Sequence, residues 1–99
     1  MAPNRIELWG RLVKEPELRT TPAGTALLRL AVDCGSAGDA LRLEVVMASE
    51  GAREVAARLR AGQELYVQGR LRAAGRAGKP SSGIQSLEVL ASEIKPAAS

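Results

Sequence analysis

Five segments of the chain alternate apolar and polar residues with the period of two that is typical of half-buried β-strands. They cover residues 5–13, 26–33, 41–47, 64–73 and 87–94. In the first of them, Ile6, Leu8 and Leu12 fall on one face, whereas Trp9 and the charged residues fall on the other. Each segment therefore predicts a strand with one buried and one exposed face.

One segment, residues 49–62, has the period of a helix instead of a strand, because Val55, Leu59 and several alanines recur in it at helical spacing. The predicted order is three strands, one short helix and two strands. This order is typical of the OB-fold, a five-stranded Greek-key barrel with the helix between strands 3 and 4. Gly10 and Gly69 interrupt inward rows and predict local bends. Residues 10–24 are predicted to be a polar bend that ends in a turn at 21–24.

The boundaries that follow are a single domain over residues 1–95 and a disordered tail over residues 96–99. No apolar run approaches the ~20 residues needed to cross a bilayer, and the start of the chain has no signal-peptide pattern. The cytoplasm is therefore the expected location.

Catalysis is not expected from this composition. The chain has no histidine, one cysteine and no phosphate-binding loop motif, which removes the common nucleophile–base pairs. The same shortage of ligands speaks against a zinc site, and no cofactor is expected. The protein is predicted to act by binding rather than by chemistry.

Charge suggests a class of ligand. Fourteen Lys and Arg residues against eleven Asp and Glu give a net charge of +3 and a sequence pI near 9.6. Eleven of the fourteen cations are arginines, whose planar guanidinium matches phosphate oxygens and stacks on bases. A GC-rich genome would also enrich Arg and Ala. Composition alone therefore does not decide whether the arginines reflect phosphate binding or the base composition of the genome.

Three stretches resemble the bacterial single-stranded DNA-binding protein family: NRIELWGRLVKEPELRTTPAG (4–24), LRAGQELYVQGRLR (59–72) and LEVLASEI (87–94). The first also resembles a short relative, primosomal replication protein N (PriB). The resemblance implies an OB-fold homo-oligomer that binds single-stranded DNA in replication, replication restart or repair, without catalysis. A homodimer is expected, with a tetramer as the alternative, and replication or primosome proteins are candidate partners.

Two features depart from that family pattern. The chain has only Trp9 and Tyr66 as aromatic residues, and Arg42 and Arg76 stand where the family has tryptophan. It also lacks the long family tail, which makes it more similar to the PriB type.

With few aromatics, DNA binding should depend mainly on charge. The candidate DNA-binding residues lie at outward positions of the predicted strands, in the bend and in the last loop. They are Trp9, Lys14, Arg19, Arg29, Arg42, Arg70, Arg72, Arg76 and Lys79. Any single outward arginine is more often merely solvated, and Trp9 suits base stacking and a subunit interface equally. The outward Glu7 and Glu44 would weaken a phosphate groove if they lay inside it. A protein-interaction module without DNA binding and an RNA-binding OB domain are the alternative functions.

Overall fold

A computed structural model describes residues 4–35, 41–73 and 87–97. Within these ranges the chain forms six strands and one helix. In chain order they are β1 (Ile6–Leu12), β2 (Glu17–Thr20), β3 (Ala26–Asp33), β4 (Arg42–Ala48), α1 (Gly51–Arg58), β5 (Glu64–Ala73) and β6 (Leu87–Pro96).

The strands form one sheet in the order β1-β5-β6-β4-β3-β2, and an additional pairing of β1 with β3 closes it into a barrel. All neighbours are antiparallel except β4 and β6, which run parallel. Without β2, the closed circuit is β1-β3-β4-β6-β5, which confirms the predicted OB-fold.

The barrel interior is filled mainly by alternating apolar residues that the sequence pattern placed there. Leu41, which was predicted to face inward, is instead 51% exposed and precedes β4. Strand β3 shows strict alternation of buried and half-buried positions, whereas β1 alternates half-buried and exposed positions and ends at the buried Leu12. The largest fully buried side chains are Leu12, Leu28, Val32, Val45, Val46, Leu65, Val67 and Val89. Ala52 of α1 is also fully buried, so the helix lies against the same core.

Two predictions about local structure need correction. The bend contains a short strand, β2, which the sequence pattern missed because all four of its residues are exposed. The helix was expected to run to Gly62, but it ends at Arg58, and residues 60–63 form a separate turn in which the Gln63 amide donates to the Arg60 carbonyl. The predicted turn at 21–24 is confirmed by the Gly24 amide, which donates to the Thr21 carbonyl at 2.8 Å.

Glycines 10 and 69 stand where strands approach too closely for a side chain. A Cβ on Gly10 would lie 2.9 Å from the Asp33 carbonyl oxygen of β3, where β1 crosses from β5 toward β3. A Cβ on Gly69 would collide with the Leu90 carbonyl oxygen, beside a bulge in the β5–β6 pairing. The register shift between Gln68 and Gly69 confirms the predicted irregularity at Gly69. The bend predicted at Gly10 stays a prediction, although the close approach of β3 explains why a glycine stands there.

Strand β6 runs to Pro96, and the Ala97 amide donates to the Glu64 carbonyl at 2.9 Å. The domain limits at 1–95 and the tail at 96–99 stay predictions.

Candidate nucleic-acid interface

A groove with a volume of about 410 Å³ lies on the outer face of the barrel. One wall is the β1–β2 connection and β2 itself, and the other is formed by β3 and β4. The described lining residues are Lys14, Glu17, Arg19, Arg29, Leu30, Ala31 and Glu44. The surface made by the second and third barrel strands, together with the loop before them, is where OB-folds usually hold oligonucleotides. We call this feature the β2–β4 groove.

Three of the predicted contact residues meet in the β2–β4 groove: Lys14, Arg19 and Arg29. Strand β2 brings Arg19 there because it pairs with β3, with Glu17 opposite Arg29, and Lys14 lies in the connection just before β2. The short strand that the sequence pattern missed therefore builds one wall of the candidate site.

Two glutamates also line the β2–β4 groove and hold these cations. Glu17 lies 3.9 Å from the Lys14 ammonium and 3.5 Å from the Arg19 guanidinium. The Arg29 guanidinium donates to the Glu44 carboxylate at 2.6 Å, and both side chains are about one-third exposed. Glu44 therefore lies inside the candidate groove, where the sequence analysis expected that it would weaken phosphate binding. Glu7 instead accepts a hydrogen bond from the Tyr66 hydroxyl, on β1 and β5.

Arg42 extends the β2–β4 groove along β4. It lies two residues before Glu44 on the same face of the strand, a step of about 6–7 Å. Its cross-strand neighbour is Asp33, whose carboxylate accepts from the Gly35 amide. Within the described ranges, no carboxylate lies within ion-pair distance of the Arg42 guanidinium.

Arg70 lies apart from the β2–β4 groove, opposite Leu90 on β6. It lines a second cavity of about 530 Å³ together with Arg5, Gln68 and Ser92. In the part of the chain that the structure describes, Arg70 has no ion-pair partner either. It is not part of the described lining of the β2–β4 groove.

Arg72 forms an ion pair with a buried carboxylate. Its Nε donates to Glu88 at 2.6 Å across the β5–β6 pair, and the Glu88 side chain is 3% exposed. Burying a carboxylate without a partner would be costly, so this arginine has a structural role whatever else it contacts.

Trp9 lies on β1, opposite Tyr66 of β5. It does not line the β2–β4 groove. It is 66% exposed, and its ring centroid lies 5.4 Å from that of Tyr66 at an interplanar angle of 54°. The hydrogen bond from the Tyr66 hydroxyl to Glu7 (2.7 Å) is the main cause that raises the pKa of Tyr66 above its usual 10.0. An aromatic pair of which Trp9 is exposed and Tyr66 half-buried suits contact with a base or with another protein surface.

The sequence-predicted residues thus fall into separate places. Lys14, Arg19 and Arg29 share the β2–β4 groove and Arg42 extends it, whereas Arg70, Arg72 and Trp9 lie elsewhere on the barrel. Arg76 and Lys79 lie outside the described residues. The sequence sets Glu15 and Glu17 against Lys14 and Arg19 as offsetting charges, and the structure places Glu17 beside both cations. The ion-pairing role of Glu88 was missed, and nothing in the sequence indicates it.

No cluster of potential metal ligands occurs among residues 4–35, 41–73 and 87–97. The single helix in these ranges is too short to span a bilayer.

The barrel topology, with one helix after β4, is that of the OB-fold, a class of domain that often binds oligonucleotides. A sequence model of the Single-strand binding protein family matches residues 3–97. The chain belongs to this family.

Two curated relatives are each 40% identical to this chain over 72 residues, which cover 69% of this chain and 27% of theirs. Both are named single-stranded DNA-binding protein, and both come from Thermus thermophilus. The chain spans about a quarter of the length of these relatives.

Proposed function

We propose that this protein binds single-stranded DNA, without catalysis and with little sequence preference, and that the strand lies along the β2–β4 groove and past Arg42. The observation that carries the proposal is the meeting of Lys14, Arg19 and Arg29 in one groove on the ligand-binding face of an OB-fold. Family membership and the names of the two relatives support the same ligand.

The groove contains cations but no aromatic side chain among its described lining residues. Binding should therefore come mainly from phosphate contacts and the release of counterions. If four cations each neutralise a phosphate, log K should fall against log salt with a slope of about −3.

The test is titration of a dye-labelled oligo-dT by fluorescence anisotropy at several salt concentrations. We expect a steep weakening with salt, and a loss of affinity in Arg29→Gln. Arg58→Gln is a matched control, because it removes one cation from the exposed side of α1 and should change the affinity by less than about twofold. An affinity that is independent of salt, or equal losses in both variants, would rule out the groove as the binding surface.

The emission of Trp9 gives a second readout, since the chain has one tryptophan. A strand confined to the β2–β4 groove leaves this emission unchanged, whereas a strand that continues across β1 and β5 quenches it. The assignment of Trp9 as a DNA contact depends on that result.

The alternatives to DNA binding have defined outcomes in the same assay. If no oligonucleotide binds at low salt, a protein-interaction module becomes the better account of the exposed Trp9–Tyr66 pair. If a matched oligo-U competes as well as oligo-dT, the protein is an RNA binder, because a basic groove does not distinguish the sugars.

We further propose a homodimer that acts in DNA replication or its restart in the cytoplasm, with the PriB type as the expected subgroup. Exposed large apolar side chains at Trp9, Val13, Leu41 and Leu87 support association with a second surface. Light scattering gives the oligomeric state, and capture of replication proteins after nuclease treatment tests the role.

A further inference from the structure

Every described cation that lines the β2–β4 groove is already bound to a carboxylate that also lines it. Glu17 lies between Lys14 and Arg19, and Glu44 holds Arg29. Three cations and two carboxylates give the described lining a net charge of only +1. A polyanion that enters this groove must compete with groups of the protein itself.

The two carboxylates occupy the places that phosphate oxygens would take. Carboxylate and phosphodiester oxygens accept the same charge-assisted hydrogen bonds from guanidinium and ammonium groups. The Arg29–Glu44 bond, at 2.6 Å, has the short length of such an interaction. Glu17 contacts its two cations through different oxygens, Oε2 toward Lys14 and Oε1 toward Arg19, so one acidic group bridges two basic ones.

We propose that Glu17 and Glu44 are displaceable occupants of two phosphate subsites, one between Lys14 and Arg19 and the other at Arg29. On DNA binding, a backbone phosphate replaces each carboxylate, and the glutamate turns toward solvent. The glutamates thereby lower the affinity and keep the groove closed to weaker anions. This inference rests on the proposed function and specifies how the same groove is regulated.

The experiment compares Glu17→Gln and Glu44→Gln with Glu93→Gln in the oligo-dT titration. Glu93 is a close match for Glu17, because each pairs at 3.5 Å with a cation two residues later on a strand, and their side chains are 44% and 45% exposed. All three variants raise the net charge by one. Glu93 lies on β6, outside the β2–β4 groove.

We expect Glu17→Gln and Glu44→Gln to bind about three- to tenfold more tightly than the wild type at moderate salt. The log–log salt slope should stay close to that of the wild type, because displacement of the carboxylates leaves the same phosphates neutralised in both complexes. Glu93→Gln should bind within about twofold of the wild type, since Glu93 does not line the β2–β4 groove and salt weakens the effect of exposed charges.

A double-mutant cycle separates displacement from a general change of charge. If Glu44 acts by occupying Arg29, the gain from Glu44→Gln disappears in an Arg29→Gln background. An undiminished gain in that background, or equal gains in all three glutamate variants, would overturn the inference while leaving DNA binding intact. Failure of the wild type to bind oligo-dT would instead refute the proposed function. Thermal unfolding of each variant confirms that the compared proteins are folded.

Discussion

Replacement of Arg72 by methionine should destabilise the fold much more than replacement of an ordinary surface arginine. The change keeps most of the apolar stem and removes the guanidinium, which leaves the Glu88 carboxylate buried without its partner. Breaking a fully buried ion pair in this way costs about 3–5 kcal/mol. Because the Arg72 side chain is 42% exposed, water reaches part of the pair, and we reduce the expected cost to about 2–3 kcal/mol.

In a domain of this size, that loss corresponds to a decrease in Tm of roughly 10–20 °C. Chemical denaturation and thermal scans followed by circular dichroism measure it. Lys95→Met is the control, because both its side chain and that of Glu93 are largely exposed, and it should cost less than about 1 kcal/mol. The double variant Arg72→Met/Glu88→Leu should recover most of the stability, since an apolar pair no longer buries an isolated charge. If Arg72→Met alone costs under about 0.5 kcal/mol, the carboxylate does not depend on this arginine and the reasoning fails.

Two further changes test features of the β1, β5 and β6 strands. Gly69→Ala should destabilise the barrel by at least about 2 kcal/mol in denaturant titration, because the added Cβ would meet the backbone of Leu90 and Ala91 rather than a flexible side chain. If the variant is as stable as the wild type, the bulge relaxes readily and the reasoning is wrong. Tyr66 should ionise above its usual pKa of 10.0, and Glu7→Gln should lower that pKa, as read from tyrosinate absorbance of the single tyrosine. Since the folded state favours the neutral phenol, its contribution to stability is fully present below about pH 10 and is lost as pH rises through the raised pKa. An unchanged pKa in Glu7→Gln would contradict the assigned cause.

The barrel could be predicted from sequence because most of its inward-facing side chains belong to segments in which apolar and polar residues alternate. Leu28, Leu30 and Val32 are buried as their spacing indicates, and the order of strands and helix is enough to select the OB-fold. Strand β2 could not be predicted in this way. Its four residues are all exposed, so the strand shows no alternation of apolar and polar residues that would reveal its pairing with β3.

The candidate site was only partly predictable, because its electrostatics depend on strand register. Sequence identifies Arg29 and Arg72 as outward cations, but their partners Glu44 and Glu88 lie 15 and 16 residues further along the chain. Which carboxylate meets which arginine is decided by the pairing of β3 with β4 and of β5 with β6. Local patterns do not contain that information.

The burial of Glu88 is a second property that local sequence patterns do not predict. This residue is 2% exposed, although glutamate is a residue type that is mostly found exposed. Its burial results from tertiary packing, which sequence alternation does not report.

The pairing of β1 with β5 has a consequence for synthesis of the chain. Ile6 pairs with Gly69 and Arg11 with Glu64, so the first strand finds its main partner only 53–63 residues later. At typical translation rates of about 5–20 residues per second, β1 stays unpaired along that edge for roughly 3–12 s. The β3–β4 hairpin has both of its strands available well before that and is expected to form first. Closure of the barrel is therefore a late folding event, and ribosome pausing after β5 should change the yield of folded protein more than pausing before β4.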